Sequence, residues 1–427
     1  MIGWLARSRW PLAATAGLIV IGMATSTWGA TLLGKPGWAL PDDLWRTLIA
    51  AQRLLHGDWG GLYTPPTGLV SFPGAAVILV PAAAVIDAAS LSLHLPGPQN
   101  AHPGVWLLAG PYEIAVAGLA LFAADAIAAR LGAAWPKRAV LAAAGAVALW
   151  GVTLRFGHPE DAAAVGLFLA GLLALAQDRT ARAGWLAGAA VAVQPLVLLA
   201  LPVLLAVTGA RRLPGFLLRA AAPAALTLGI AVAANWHATL GTVIRQPNSP
   251  AVNHPTPWLS LSGHPGGGMV AAGPARALAV LVACGCAAAA GRRWRAAVRV
   301  AGWDAGSLAG VLWWAAAALA ARSVFEPVMV AYYLWPVLAV ALLPASRSWP
   351  RLAATSAAAV ALTFAAQEPW RDPWAWWLPM ISGLALVLWL ARVPLDRPGR
   401  PGRPGRPEPL DLRRWSADGN RTILEEQ

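Results

Sequence analysis

Apolar runs long enough to cross a bilayer, cut apart by short arginine-bearing loops, leave this chain few ways to fold. About 20 residues of helix cover the roughly 30 Å hydrocarbon core. Such runs fall at 11–33, 105–130, 138–156, 161–177, 183–194, 195–208, 214–236, 269–291, 302–321, 326–345, 351–367 and 374–392. They predict an all-α, polytopic integral membrane protein of about twelve transmembrane helices with both ends on one side. A chain 58% hydrophobic and 12% charged fits no ordinary soluble domain. Two of the runs, 183–194 and 195–208, are too short to cross alone. They are either one helix bent at Gln194-Pro195 or two half-spans meeting there.

Charge decides between the two. The net charge of +13 would speak for nucleic acid in a soluble protein. In a membrane protein it follows the excess of Lys and Arg in cytoplasmic loops, so no nucleic-acid partner is expected. With Arg7 and Arg9 inside, two half-spans put 24 of the 32 basic residues on the inner side. A single span over 183–208 breaks that alternation. Two short helices are therefore predicted, tolerable when buried among neighbours or beside a watery cavity. The stretch 68–93 is apolar enough to span, yet spanning would invert everything up to Arg182. With Pro73, Pro81 and Asp87 it reads as lying on, or dipping into, the outer leaflet. This frame, built on Lys and Arg alone, leaves all seven histidines at the outer side.

Other compositional signals are plainer. Tryptophan outnumbers tyrosine 24 to 4, and many tryptophans lie near span ends as interface anchors. Cys284 and Cys286 sit in an apolar run and read as small packing residues. The first run ends in Thr25-Ser26-Thr27, without a small-x-small cleavage pattern, and reads as a retained anchor. Residues 1–392 form one transmembrane domain, with outer loops at 34–104 and 237–268. From 393 to 427 a Pro-Gly-Arg repeat predicts a disordered basic cytoplasmic tail.

Chemistry is sought at the outer side. Pro41-Asp42-Asp43 opens a predicted helix whose apolar positions Leu44, Leu48, Ala51, Leu54 and Leu55 share a face opposite Arg46 and Arg53. The acids are helix caps, or bases held at headgroup level by an interfacial helix, where a carboxylate can take a proton from a hydroxyl. Gly157-His158-Pro159-Glu160-Asp161 crowds a histidine and two acids into a tight loop, for capping or for function. The 237–268 loop carries Arg245, Asn253 and His254 and reads as a cover over substrate. His254 and His264 lack metal-ligand spacing, and whether a divalent metal is needed stays open.

The order of these pieces resembles the C-type superfamily of polyprenyl-phosphate-sugar-dependent glycosyltransferases, and within it the bacterial mannosyltransferase-like family. The resemblance rests on Asp43, Ala50-Ala51, Leu54-Leu55-His56-Gly57 and Tyr63. It continues in Phe72-Pro73 to Pro81, Gly157-His158, and Ala183-Gly184-Trp185-Leu186-Ala187-Gly188 running to Gln194-Pro195. It covers roughly residues 10–345. Two departures stand out: Gln194 replaces the lysine frequent there, and Phe72-Pro73-Gly74 replaces Tyr-Pro-Pro.

The resemblance implies that the outer-loop acid is the catalytic base, Asp43 with Asp42 as runner-up, and that juxtamembrane helices precede the second span. The donor substrate would be a polyprenyl-phosphate sugar, most simply mannose; because lipid phosphate leaves, no nucleotide site is needed and no cofactor is certain. The acceptor would be a glycolipid or glycan, with membrane lipid the remaining partner. Arg46, Arg53, Tyr63, His158, Glu160, Gln194, Arg245, Asn253 and His254 are the expected substrate-binding residues. Arg155 and Arg322 join Arg46, Arg53 and Arg245 as possible phosphate partners. A multi-pass transporter or flippase, to which intramembrane Glu113 and a helix broken at 194–195 would suit, is the rival, with a non-catalytic scaffold third.

Overall fold

The computed structural model describes residues 8–32, 40–93, 103–264, 266–369 and 372–392. The 393–427 tail, His94, His102 and Arg371 lie outside these, as do the side chains of 26–32, Asp42 and Pro103. The fold is helical. Helix α1 (Arg9–Leu32) leads to α2 (Asp42–Leu55) and two short helices, α3 (Pro73–Val77) and α4 (Val80–Ala88). Then come α5 (Pro103–Arg130), α6 (Trp135–Trp150), α7 (Pro159–Ala176), α8 (Thr180–Val193), α9 (Leu201–Val207), α10 (Leu213–Ala234) and α11 (Trp236–Arg245). Four long helices close the chain: α12 (Ala275–Ala301), α13 (Ala305–Phe325), α15 (Trp349–Ala365) and α16 (Pro373–Ala391), with α14 (Trp335–Ala345) between α13 and α15. Two residues of β1 (His254–Pro255) pair antiparallel with two of β2 (Val328–Met329).

Each of the twelve predicted segments contains helix, although 269–291 is helical only from Ala275 and 326–345 opens on β2 and is helical only from Ala331. Among the described residues seven helices are long and apolar enough to cross a membrane: α5, α6 with its extension to Arg155, α7, α10, α12, α13 and α16. Apolar stretches at Arg9–Thr25, Pro195–Val207 and Ala331–Ala345 are shorter. Alanine and glycine let these helices approach closely, the usual packing device where lipid removes the hydrophobic drive.

Cross-chain contacts sort the loops into two ends. At one end Lys137 Nζ donates to the Arg347 carbonyl at 2.9 Å, and Arg212 pairs with Asp178 at 2.9 Å. There too Trp10 stacks on Trp135, and Arg138 is bidentate on Asp125. At the other end lie Asp43, His158, Gln194, Asn235, Glu326 and Trp376. The Asp178–Arg212 pair settles the 183–208 question. Helix α8 rises about 21 Å at 1.5 Å per residue, and the chain breaks at Gln194 in extended conformation (φ −149°, ψ 118°). It then returns through the 3₁₀ turn Pro195–Leu199 and α9 to the end it left. These are two half-length helices, as the charge alternation required.

The 68–93 stretch forms no single helix long enough to cross. It breaks into α3 and α4, which pack on α2, and Asp87 comes within 3.7 Å of His56. Helix α2 corrects an expectation. Its apolar face does not float at the lipid surface, because Leu44, Leu48 and Ala51 are fully buried against Ala82, Ala83 and Ile86 of α4 and Trp106 of α5. Burying each leucine contributes about 1.5–3 kcal/mol. The site's acid therefore stands on a protein platform.

We expect an impermeant thiol reagent to label whole cells at Val252→Cys and to reach Arg211→Cys only after permeabilisation, in a background with Cys284 and Cys286 replaced by alanine. Val252 and Arg211 are both exposed, at opposite ends. The reverse pattern would invert the orientation.

Candidate functional site

Asp43 does not cap its helix. Pro41 is the N-cap residue of α2 and no side chain caps it. Proline's fixed φ suits a helix start and leaves the Asp43 carboxylate for another task. The Thr47 hydroxyl donates to the Asp43 carbonyl at 2.8 Å, so its hydrogen bond goes to the backbone as well.

The partner arrives from 115 residues downstream. Helix α6 widens at its end into a π-helical turn, Gly151–Arg155, a form frequent at functional sites. The turn closes with Gly157 N–H donating to Thr153 O at 2.7 Å and His158 N–H to Val152 O at 2.8 Å. Gly157 has φ +68°, and a Cβ there would lie 2.5 Å from Leu44 Cβ and 2.9 Å from Pro41 Cβ. Only glycine combines that backbone with so close an approach to the start of α2.

His158 thereby joins two carboxylates. Nε2 lies 2.9 Å from Asp43 Oδ2, and Nδ1 lies 2.7 Å from Glu160 Oε1. The imidazole is nearly sealed, whereas the Asp43 side chain is 48% exposed, so the line runs from accessible surface inward. Burial by itself would push the His158 pKa down. The Glu160 and Asp43 carboxylates outweigh it and hold the imidazolium well above the usual histidine range. Burial would raise Asp43, but the His158 charge, its hydrogen bond and Arg46 keep its carboxyl below the usual range. These opposed shifts favour an imidazolium held against an ionised Asp43. Among the described residues Asp43 Oδ1 takes no hydrogen bond, and this oxygen is the one able to accept a proton.

Glu160 and Asp161 occupy the first turn of α7, buried rather than looped, and neither caps it. Asp161 Oδ1 accepts from the Gln194 amide. Gln194 Oε1 accepts from the Ser71 hydroxyl at 3.1 Å, and the Ser71 carbonyl accepts from the Tyr63 hydroxyl at 3.0 Å. Helix α3 seats this row: a Cβ on Gly74 would lie 2.2 Å from the Ala192 carbonyl oxygen. Because backbone cannot yield as a side chain can, Gly74→Ala should destabilise the protein by about 1–3 kcal/mol. Thermal unfolding in detergent should show it as a lowered midpoint.

A third wall comes from the late helices. Tyr332 stacks on His158 with ring centroids 4.3 Å apart, and Tyr333 meets Tyr332 edge-on at 5.0 Å. Arg322, in the last turn of α13, sets its guanidinium carbon 3.9 Å from the Tyr333 ring centre. Behind it Glu326 is buried and bidentate with Arg276, which also donates to Gln246. The β1–β2 pair ties the 246–274 loop to this wall, and Thr256 Oγ1 donates to the Glu326 carbonyl at 2.6 Å.

Of the residues expected from sequence, Asp43, His158, Glu160 and Gln194 converge. Arg46 is exposed on α2 close enough for its charge to act on Asp43. Arg53 does different work: it donates to the carbonyls of Gly61 and Pro65 and to Thr64 Oγ1, holding the loop after α2. Tyr63 is buried and bonded inward. Arg245 is exposed, Asn253 donates to Asn248 at 2.7 Å, and His254 stacks on Trp376 at 4.3 Å, so these two shape the loop. Asp42 begins α2, and its side chain lies outside the described residues. Among the described residues no group of three or more His, Cys, Asp or Glu is placed to hold a metal ion. Ser71 escaped the sequence reading, since a lone serine in a turn carries no signal.

Compared with family models and with curated proteins, the chain matches none of them.

Proposed function

We propose that the chain is a membrane glycosyltransferase of the C-type, with twelve helical segments threading a plasma membrane and the site on the extracytoplasmic face. It would move a sugar, most simply mannose, from a polyprenyl-phosphate donor to a glycolipid or glycan hydroxyl. The observation that carries this reading is the half-exposed Asp43 carboxylate with one oxygen held by a buried imidazolium and the other without a hydrogen bond among the described residues. Asp43 Oδ1 accepts the proton as the acceptor oxygen forms its bond to the anomeric carbon from the side opposite the phosphate. The bond from that carbon to the phosphate oxygen breaks, and the lipid phosphate leaves with the electron pair, so configuration inverts. His158 and Glu160 keep Asp43 ionised and aimed; neither touches substrate in this scheme.

Membranes containing the protein, incubated with labelled polyprenyl-phosphate sugars, should transfer label to lipid or glycan. Absence of transfer from every such sugar, by protein that binds the donor, would sink the reading. One observation favours a transporter instead: Glu113 is fully buried in α5 with neither carboxylate oxygen partnered among the described residues. Intramembrane acids of that kind mark ion and substrate paths. Label that crosses proteoliposomes without changing its chemical linkage would favour that second reading.

A further inference from the structure

Six arginines among the described residues stand at the site end; Arg46, Arg53 and Arg276 have duties visible in their interactions, and Arg155 and Arg245 are exposed. Arg53 holds three acceptors of its own loop, and Arg276 is spent on Glu326 and Gln246. Arg155 lies exposed beside the Phe156 ring, and Arg245 is exposed at the end of α11. Arg46 is exposed and lends its charge to Asp43. Arg322 remains. Among the described residues its side chain makes no hydrogen bond and no ion pair, and its guanidinium lies over the Tyr333 ring. The two carboxylates whose charge reaches it are both engaged, Glu326 by Arg276 and Asp161 by Gln194.

A half-buried guanidinium without a hydrogen-bonding partner is costly. Its place in the last turn of α13 suits the helix dipole. The dipole accounts for a cation there, but not for its lying over a ring of the site wall. The sealed polar atoms without a hydrogen bond among the described residues include oxygens of Glu113, Glu160 and Asp161, but no nitrogen of Arg322. A tyrosine ring under one face leaves the edge donors of the guanidinium open. That planar fork matches phosphate oxygens better than any other side chain. Through Tyr333 and Tyr332 it is three ring contacts from His158, hence on the same wall as Asp43.

We propose that Arg322 is the phosphate-binding residue of this site, taking the monoester or diester phosphate of an isoprenoid lipid. The choice of isoprenoid lipid rests on the glycosyltransferase reading; the anion site stands on the geometry alone. Gln194, where a lysine would have supplied a cation, is then explained: it neutralises no charge but orients Asp161, and the cation comes from α13 instead.

The test uses the full chain in detergent with farnesyl phosphate as probe, followed by tryptophan fluorescence and by thermal stabilisation. Wild type should bind saturably, Arg322→Gln about ten- to a hundredfold more weakly, and Arg322→Lys in between, since it keeps the charge and loses the fork. Arg292→Gln, at the opposite end, should bind like wild type. Farnesol, lacking phosphate, should bind no better to wild type than to Arg322→Gln. Inorganic phosphate and phosphatidylglycerol vesicles are run as competitors. Competition by the former alone would assign the site to free phosphate, and by the latter alone to a bilayer headgroup, either of which overturns the isoprenoid choice. Equal binding of farnesyl phosphate by wild type and Arg322→Gln, or none by wild type, overturns the proposal. Should Arg322→Gln fail to yield monodisperse protein, the Arg322→Lys comparison decides alone, wild-type affinity counting against it. Binding through Arg322 without sugar transfer would retain the anion site and remove the transferase reading.

Discussion

Asp43→Asn should abolish most sugar transfer, by at least a hundredfold and up to about ten-thousandfold, the range general-base catalysis spans. The change keeps shape and removes the group that accepts the proton. Asparagine can still meet His158, so expression and donor binding should persist. Single-turnover transfer with saturating donor separates the chemical step from binding. Near-normal turnover in Asp43→Asn would move the base elsewhere, and Asp42→Asn would then be the next variant to measure.

His158→Gln should act through Asp43 and through stability at once. Without the imidazolium the Asp43 carboxyl returns toward or above its usual range, because burial then goes unopposed. The acid limb of the transfer rate should therefore move to higher pH, a shift that a purely structural lesion would not produce. Transfer at neutral pH should fall about ten- to a hundredfold, as for other residues that orient a reacting group. The stability effect has a definite sign. The folded pKa of His158 is raised, so its contribution is fully present below about pH 6.5, the unfolded value, and fades as pH rises through the folded one. Asp43 works oppositely: its contribution is present above about pH 3.9 and lost as pH falls through its depressed value. Removing one partner of a buried pair costs about 3–5 kcal/mol, here by leaving Glu160 uncompensated. The unfolding midpoint of His158→Gln should thus lie well below wild type at pH 6, and the gap should narrow toward alkaline pH. A gap independent of pH would show that the imidazole serves as packing, not as charge.

The placement of Glu160 and Asp161 shows how caps and sites look alike in a sequence. Both stand in a first turn, where a helix dipole favours acids, and only their bonding to His158 and Gln194 tells them from caps. Arg53 shows the converse. It sits on the polar face of α2, about two turns from Arg46, yet the loop that follows folds back and captures it.

Much of the architecture was legible because bilayer thickness and helix rise impose one length, and because basic residues gather at one end. Those two rules alone placed helix within twelve segments, seven of them long and apolar enough to span, called for two short helices around Gln194-Pro195, read 68–93 as no ordinary span, and pointed to the end that holds Asp43 and His158. They could not place α2, whose amphipathic face reads equally as lipid-facing or protein-facing until α4 and Trp106 cover it. Nor could they pair Asp43 with His158, set Tyr332 on that imidazole, or free Arg322 from a carboxylate. Periodicity and charge are properties of neighbours along the chain. The site is made by side chains tens to hundreds of residues apart, and which of them meet depends on how the helices pack.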